Sequence, residues 1–179
     1  MVPFFFLFMK TVYLSLGSNL GNRAAYIHRA LESLGAAGVR VLRRSSLYRT
    51  EPVDAPPQQW FLNCALEAET ELLPRQLLRM VREVERALGR RRMVARGPRT
   101  LDIDILLYGS SCISSADLEI PHPRMAARRF VLAPLAEIAP ALRHPVLGCT
   151  ISRLLAETSD RHNVARWHPQ PQTKKEYEK

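Results

Sequence analysis

The chain has 179 residues, 46% of them hydrophobic and 24% charged, enough apolar content for one globular domain with a proper core. A formal charge of +9 and a pI of about 10.1 favour an anionic partner, whether nucleic acid, an anionic membrane surface or a small polyanion, and charge alone does not choose among them. Three cysteines, Cys64, Cys112 and Cys149, form no C-x-x-C pair and leave one over, which argues against a disulfide framework and a zinc site and for a reducing cytoplasm.

Residues 1–9 form an apolar leader too short to span a bilayer, with no basic start and with Lys10 where a cleavage site would need small residues. It is expected to be a disordered N-terminal extension, with Met9 a candidate functional start. Thr11 to Leu16 reads as a short apolar strand closed by the turn-rich Gly17-Ser18-Asn19-Leu20-Gly21-Asn22, whose last residue can cap a helix running to about Leu34. Val39 to Tyr48 is expected to be one strand. Arg49 to Gln59 carries Pro52, Pro56 and Pro57 and is a stiffened loop, after which Phe61 to Glu69 resumes strand. Pro74 fits a first helical turn, Leu77, Val81, Val84 and Leu88 recur at helical spacing, and Gly89 fits the stop. Leu101 to Ile105 alternates as a half-buried strand. The segment from Asp117 to Trp167 is expected to add a short helix or two and another edge segment, and residues 169–179 a frayed polar tail. The order β-α-β-β-α-β predicts an α+β, ferredoxin-like domain over 10–168, with an antiparallel sheet and helices on one face.

The alternating strand carries the chemistry. Asp102 and Asp104 point from the same face while Leu101, Ile103 and Ile105 fill the other. Like charges so close are costly unless a cation joins them. Two hard oxygen donors on a rigid element suit Mg²⁺, which usually arrives with substrate phosphates completing its octahedron. Nine arginines lie between Arg75 and Arg99. Arg75, Arg79, Arg82 and Arg86 fall on the helix surface and read as a solvated basic face. Arg90, Arg92, Arg96 and Arg99 lie in the loop running into the aspartates, where guanidinium forks can clamp phosphate oxygens.

Five motifs in order complete the pattern: Leu16-Gly17-Ser18-Asn19-Leu20-Gly21; Tyr48-Arg49-Thr50-Glu51-Pro52; Phe61-Leu62-Asn63-Cys64-Ala65; Gly97-Pro98-Arg99-Thr100-Leu101-Asp102-Ile103-Asp104; and Pro121-His122-Pro123-Arg124-Met125 continuing to Phe130. From about Lys10 to Trp167 the chain resembles the 6-hydroxymethyl-7,8-dihydropterin pyrophosphokinases of folate biosynthesis, which move the diphosphate of ATP onto a pterin alcohol and release AMP. The resemblance implies two Mg²⁺ ions on Asp102 and Asp104, with Arg90 and Arg92 as catalytic phosphate-gripping groups. It implies ATP contacts from Glu85, Arg90, Arg92, Arg99, Ile105, His122 and Arg128. It implies a pterin site made of Phe61 and Phe130 as a ring sandwich, Asn63 as a hydrogen-bonding side chain, and Gly17, Thr50 and Val53. The chain departs from the commonest pattern ahead of Gly97, where Ala95-Arg96 replaces an arginine and an aromatic residue, and in the detail of Asp54-Ala55-Pro56-Pro57.

The alternatives are an RNA-binding ferredoxin-like module and another Mg²⁺-dependent nucleotidyl or phosphoryl transferase using the same D-x-D strand. Two acids on the sheet face oppose the first, since they would repel RNA phosphates. The expected partners are therefore ATP and the pterin, with no nucleic acid and no membrane, for a monomeric cytoplasmic enzyme.

Overall fold

A computed structural model describes residues 9–90 and 97–169. Strand β1 (Lys10–Ser18) leads into helix α1 (Arg23–Ala36), whose first turn is capped as its sequence suggests, with the Asn22 side chain accepting from the Ala25 N–H at 3.1 Å. Next come β2 (Val39–Arg44), β3 (Tyr48–Thr50), β4 (Phe61–Thr70), α2 (Pro74–Ala87) and β5 (Asp102–Tyr108). Helix α2 starts on Pro74 and stops before Gly89, which takes φ +83°, a conformation that side chains with a Cβ resist. A short hairpin of β6 (Ile113–Ser114) and β7 (Glu119–Ile120), helices α3 (Arg129–Ile138) and α4 (Ile151–Glu157), and β8 (Val164–Arg166) follow in the described residues.

The main sheet runs β5-β1-β4-β3-β8, with β2 also on β4, and every pairing in it is antiparallel. The β-α-β-β-α-β order is thus the one expected from the sequence, with two differences. The strand expected over Val39–Tyr48 is two strands. Register moves from Arg44 opposite Leu66 to Tyr48 opposite Asn63, so β4 advances three residues while the facing chain advances four. The extra residue is absorbed where Ser45 uses its own hydroxyl to accept the Ala65 N–H at 2.9 Å. Ser46 there turns out to bind Glu137 of α3 through its N–H (3.1 Å) and hydroxyl (2.9 Å).

The second difference is that helices cover both faces. Val12, Leu14 and Leu16 of β1, Leu62, Cys64 and Leu66 of β4, and Ile103 and Ile105 of β5 pack with α1 and α2. Tyr13, Ala65, Leu106 and Leu107 pack on the other side with Val131, Leu132 and Leu135 of α3 and Ile151 and Leu154 of α4. The C-terminal additions are therefore a second core layer. They cover only one end of that face and leave the rest open. Among the described residues, no helix is long and apolar enough to cross a membrane.

Candidate active site

Strand periodicity sets which side chains meet on the open end. Ser15 and Gly17 of β1, Phe61 and Asn63 of β4 and Asp102 and Asp104 of β5 all point away from α1 and α2. The antiparallel register aligns them: Gly17 lies opposite both Asn63 and Asp102, Ser15 opposite Asp104, and Thr50 opposite Phe61. The result is a cleft of about 300 Å³ with these residues as its floor. Its walls are the 51–58 loop, Arg90 and Arg99 before β5, and Arg124, Arg128 and Phe130 leading into α3.

The central position has to be glycine. A Cβ on Gly17 would sit 2.3 Å from Asn63 Oδ1 and 3.7 Å from the Phe61 ring, so any side chain would fill the space between the aspartates and the aromatic end. Asn63 is buried and donates its Nδ2–H to Thr50 Oγ1 at 2.6 Å. Each aromatic wall already carries a cation: the Arg99 guanidinium lies 5.5 Å from the Phe61 ring centroid, and that of Arg128 5.3 Å from Phe130.

Opposite the aromatic end, Asp102 is held from both sides, by Arg90 Nη2 to Oδ1 at 2.8 Å and by Arg99 Nη1 to Oδ2 at 2.7 Å. Among the described residues Asp104 has no such fork. It lines the cleft, and burial, followed by the Asp102 charge, pushes its carboxyl up to about 6, with the Arg128, Arg90 and Arg99 guanidinium groups pulling the other way. His122 Nε2 stands 3.9 Å from Asp104 Oδ1. Burial and the nearby Arg128 and Arg124 charges push this imidazole down to about 4, so it is neutral at physiological pH. Arg99 Nε is buried without a hydrogen-bond partner among the described residues, a donor that an anion in the cleft would satisfy.

Not every residue singled out in the sequence lines the cleft. Gly17, Thr50, Val53, Phe61, Asn63, Arg90, Arg99, Asp102, Asp104, Arg128 and Phe130 do. Ile105 does not: its side chain is buried in the α1/α2 core, leaving only backbone on outer strand β5 to meet a ligand. Glu85 does not either. It is buried rather than an exposed helical glutamate, its Oε1 accepting the Ile103 N–H at 2.8 Å and pairing with Arg90. Burial raises its pKa, opposed by those two partners. Glu85 therefore braces β5 and Arg90 from behind. Arg92 and Arg96 lie outside the described residues. Arg75 and Arg82 of α2 reach Asp117, at 3.7 Å and 3.5 Å, away from the cleft.

Sequence reasoning did not assign Ser15, Glu51, Asp54, Ala55, Gln58 and Arg124 to the site, and all six line the cleft. Period-two alternation from Gly17 gives Ser15, and Arg124 lies inside a motif already noted. Among the described residues no group of three or more His, Cys, Asp or Glu side chains converges. A cation here would have two carboxylates among the described residues, with room for water and for oxygens of a bound molecule, which suits a hard ion that arrives with phosphates.

The family model described as 7,8-dihydro-6-hydroxymethylpterin-pyrophosphokinase (HPPK) matches residues 13–140. A 2-amino-4-hydroxy-6-hydroxymethyldihydropteridine pyrophosphokinase of Methylorubrum extorquens is 46% identical over 150 residues, which cover 83% of this chain and 94% of that protein. The enzyme of the same name from Bacillus subtilis is 49% identical over 127 residues, 70% of this chain and 76% of that one. The folic acid synthesis protein of Pneumocystis carinii is 42% identical over 155 residues, and there the chain spans 87% of itself but only 21% of its relative. A crystal structure of a Plasmodium falciparum HPPK-DHPS triple mutant superposes with a TM-score of 0.67 over 83% of this chain and 44% of that one, at 16% identity, a likeness of fold.

Proposed function

The chain belongs to the 7,8-dihydro-6-hydroxymethylpterin-pyrophosphokinase family, and from that membership we infer that its cleft transfers diphosphate from ATP to 6-hydroxymethyl-7,8-dihydropterin in folate synthesis. The observation that carries this reading is the single floor on which Gly17 separates an aromatic, amide-bearing end from a carboxylate pair ringed by arginines. One end suits a flat heterocycle edged with donors and acceptors. The other suits a polyphosphate with its metal.

The pterin ring stacks between Phe61 and Phe130, and the Asn63 amide, held by the Thr50 hydroxyl, reads its polar edge with backbone groups near Thr50 and Val53. Its hydroxymethyl arm then points across Gly17 towards the aspartates. Asp102 and Asp104 would hold Mg²⁺, which when bound would supply positive charge to offset that of the transferring phosphates. Arg90, Arg92, Arg99 and Arg128 grip the phosphates, with Arg124 at the mouth. Their role is to fix the alcohol oxygen against the β-phosphorus, since positioning and charge stabilisation supply most of such a catalyst's power. The alcohol oxygen bonds to the β-phosphorus, the bond from the β-phosphorus to the α,β-bridging oxygen breaks, AMP leaves carrying that bridging oxygen, and the alcohol proton goes to solvent. Neutral His122, beside Asp104, faces the nucleotide side. Glu85 acts on ATP through Arg90. The enzyme works as a cytoplasmic monomer, needing no nucleic acid or membrane.

The test is to incubate the protein with Mg²⁺, ATP and the pterin alcohol and resolve the nucleotides. Pterin-dependent AMP release is expected. ADP as the main product would mean simple phosphoryl transfer and would overturn the reading.

A further inference from the structure

The chemistry above uses Gly17 from the segment that closes β1 but leaves Asn19 unexplained. Asn19 is wholly buried, at 0% exposure. Its Oδ1 accepts the Arg99 backbone N–H at 2.8 Å, and its Nδ2 donates to Gln58 Oε1 at 2.9 Å and to the Gln59 carbonyl at 3.1 Å. Its own backbone N–H donates to the Arg99 carbonyl at 3.1 Å. Two of the side-chain partners are main-chain groups and cannot exchange roles: the Arg99 N–H only donates and the Gln59 carbonyl only accepts. A carboxamide of this length supplies acceptor and donor together. An ionised aspartate keeps the first and opposes the second, and alanine supplies neither.

The two segments joined here form opposite walls of the cleft. Arg99 spans the Asp102 carboxylate and the Phe61 ring. Gln58 lines the cleft at the end of the proline-stiffened loop, and Gln59 and Trp60 lead from it into β4, which begins at Phe61. The other end of that loop is tied separately, by the Glu51 N–H to the Asn163 carbonyl at 3.0 Å and Asn163 Nδ2 to the Glu51 carboxylate at 3.1 Å. Asn19 is thus the buried tie at the end of the loop next to the ring wall.

We propose that Asn19 is a positioning residue that fixes the phosphate wall, through Arg99, against the ring wall, through Gln58 and Gln59, so that both substrates register its loss although it touches neither. The proposal rests on the pyrophosphokinase reading, which gives each wall its substrate.

The full chain and its Asn19→Ala, Asn19→Asp, Arg99→Ala and Asn19→Ala/Arg99→Ala variants are titrated by calorimetry with two probes in turn, Mg²⁺ with α,β-methylene ATP and 6-hydroxymethyl-7,8-dihydropterin. Asn19→Ala is expected to weaken each probe about tenfold, the effect of losing one or two buried hydrogen bonds. Asn19→Asp, which keeps the Arg99 contact and opposes the Gln59 carbonyl, is expected to weaken the pterin about tenfold and the nucleotide analogue less than about threefold. In the Arg99→Ala background, Asn19→Ala should cost the nucleotide analogue less than about twofold more, because residues acting along one path are not additive. Fully additive nucleotide losses, or folded Asn19 variants that bind both probes as wild type does, overturn the proposal alone. Should Asn19→Ala fail to fold, the isosteric Asn19→Asp carries the test by its pterin and nucleotide split. A wild-type chain that binds neither probe overturns the functional reading beneath it.

Discussion

At the scale of single residues, the carboxylate pair decides most. Asn at 102 or 104 keeps size and strand propensity while removing charge. Each variant is expected to fold and to lose at least about a hundredfold in turnover, since a misplaced cation forfeits several kcal/mol of transition-state stabilisation; wild-type turnover in a folded variant would move the metal elsewhere. The pH dependence follows from Asp104. Its folded-state carboxyl holds a proton up to about 6, against an ordinary value of 3.8, so the unfolded chain releases it first as pH rises. Without metal, the stability this gives at low pH is lost between about pH 4 and 6. His122 works in the opposite sense: neutral when folded down to about 4, it destabilises the fold as pH falls below its ordinary 6.5. The melting temperature of Asp104→Asn minus that of wild type should therefore rise between pH 4 and 6 in chelator, and Mg²⁺ with nucleotide should bind wild type more weakly below pH 6. A flat difference curve would show that Asp104 titrates normally. Phe130 makes a separate claim. It is half-buried at the start of α3, and Phe130→Ala should weaken pterin binding by about 1–3 kcal/mol with little change for ATP, which titration calorimetry reads directly.

At the scale of elements, the site depends on how α2 is fastened to β5. Glu85 reaches from the helix to the Ile103 N–H and to Arg90, and Arg90 continues to Asp102. Removing the carboxylate takes one of two carboxylate partners from a largely buried guanidinium and leaves a buried strand N–H without its acceptor. Glu85→Ala is therefore expected to cost about 3 kcal/mol in urea unfolding, near the lower end of broken buried pairs. Glu85→Gln, which still accepts from Ile103, should cost about half as much. Equal losses for the two variants would locate the effect in packing. The α3 layer is fastened in a similar way. Glu137 accepts from the Tyr48 hydroxyl at 2.6 Å and from Ser46, which ties the helix carrying Phe130 to the strand carrying Thr50.

At the scale of the molecule, the +9 charge and the arginine-lined cleft should draw an anionic nucleotide more than a neutral pterin. Raising ionic strength from about 0.05 to 0.5 M should lift the KM for ATP severalfold and leave that for the pterin nearly unchanged, because screening shortens to a few ångströms; parallel changes would point to salt acting on the fold. The sequence alone determined the order of elements, the facing of Asp102 and Asp104, the α2 boundaries at Pro74 and Gly89, and the family, because these rest on local periodicity, capping chemistry and contiguous motifs. Tertiary structure alone decided the break at Ser45-Ser46, where Glu137, 91 residues from Ser46 in sequence, takes the Ser46 N–H, and the second helical layer, whose apolar stripe looks the same whichever face it covers. It also decided which side chains face the cleft. Glu85 and Ile105 matched motif positions yet turned inward, and Asn19 proved to be a buried tie. A motif records that a residue occurs, whereas the register of distant strands decides what it touches.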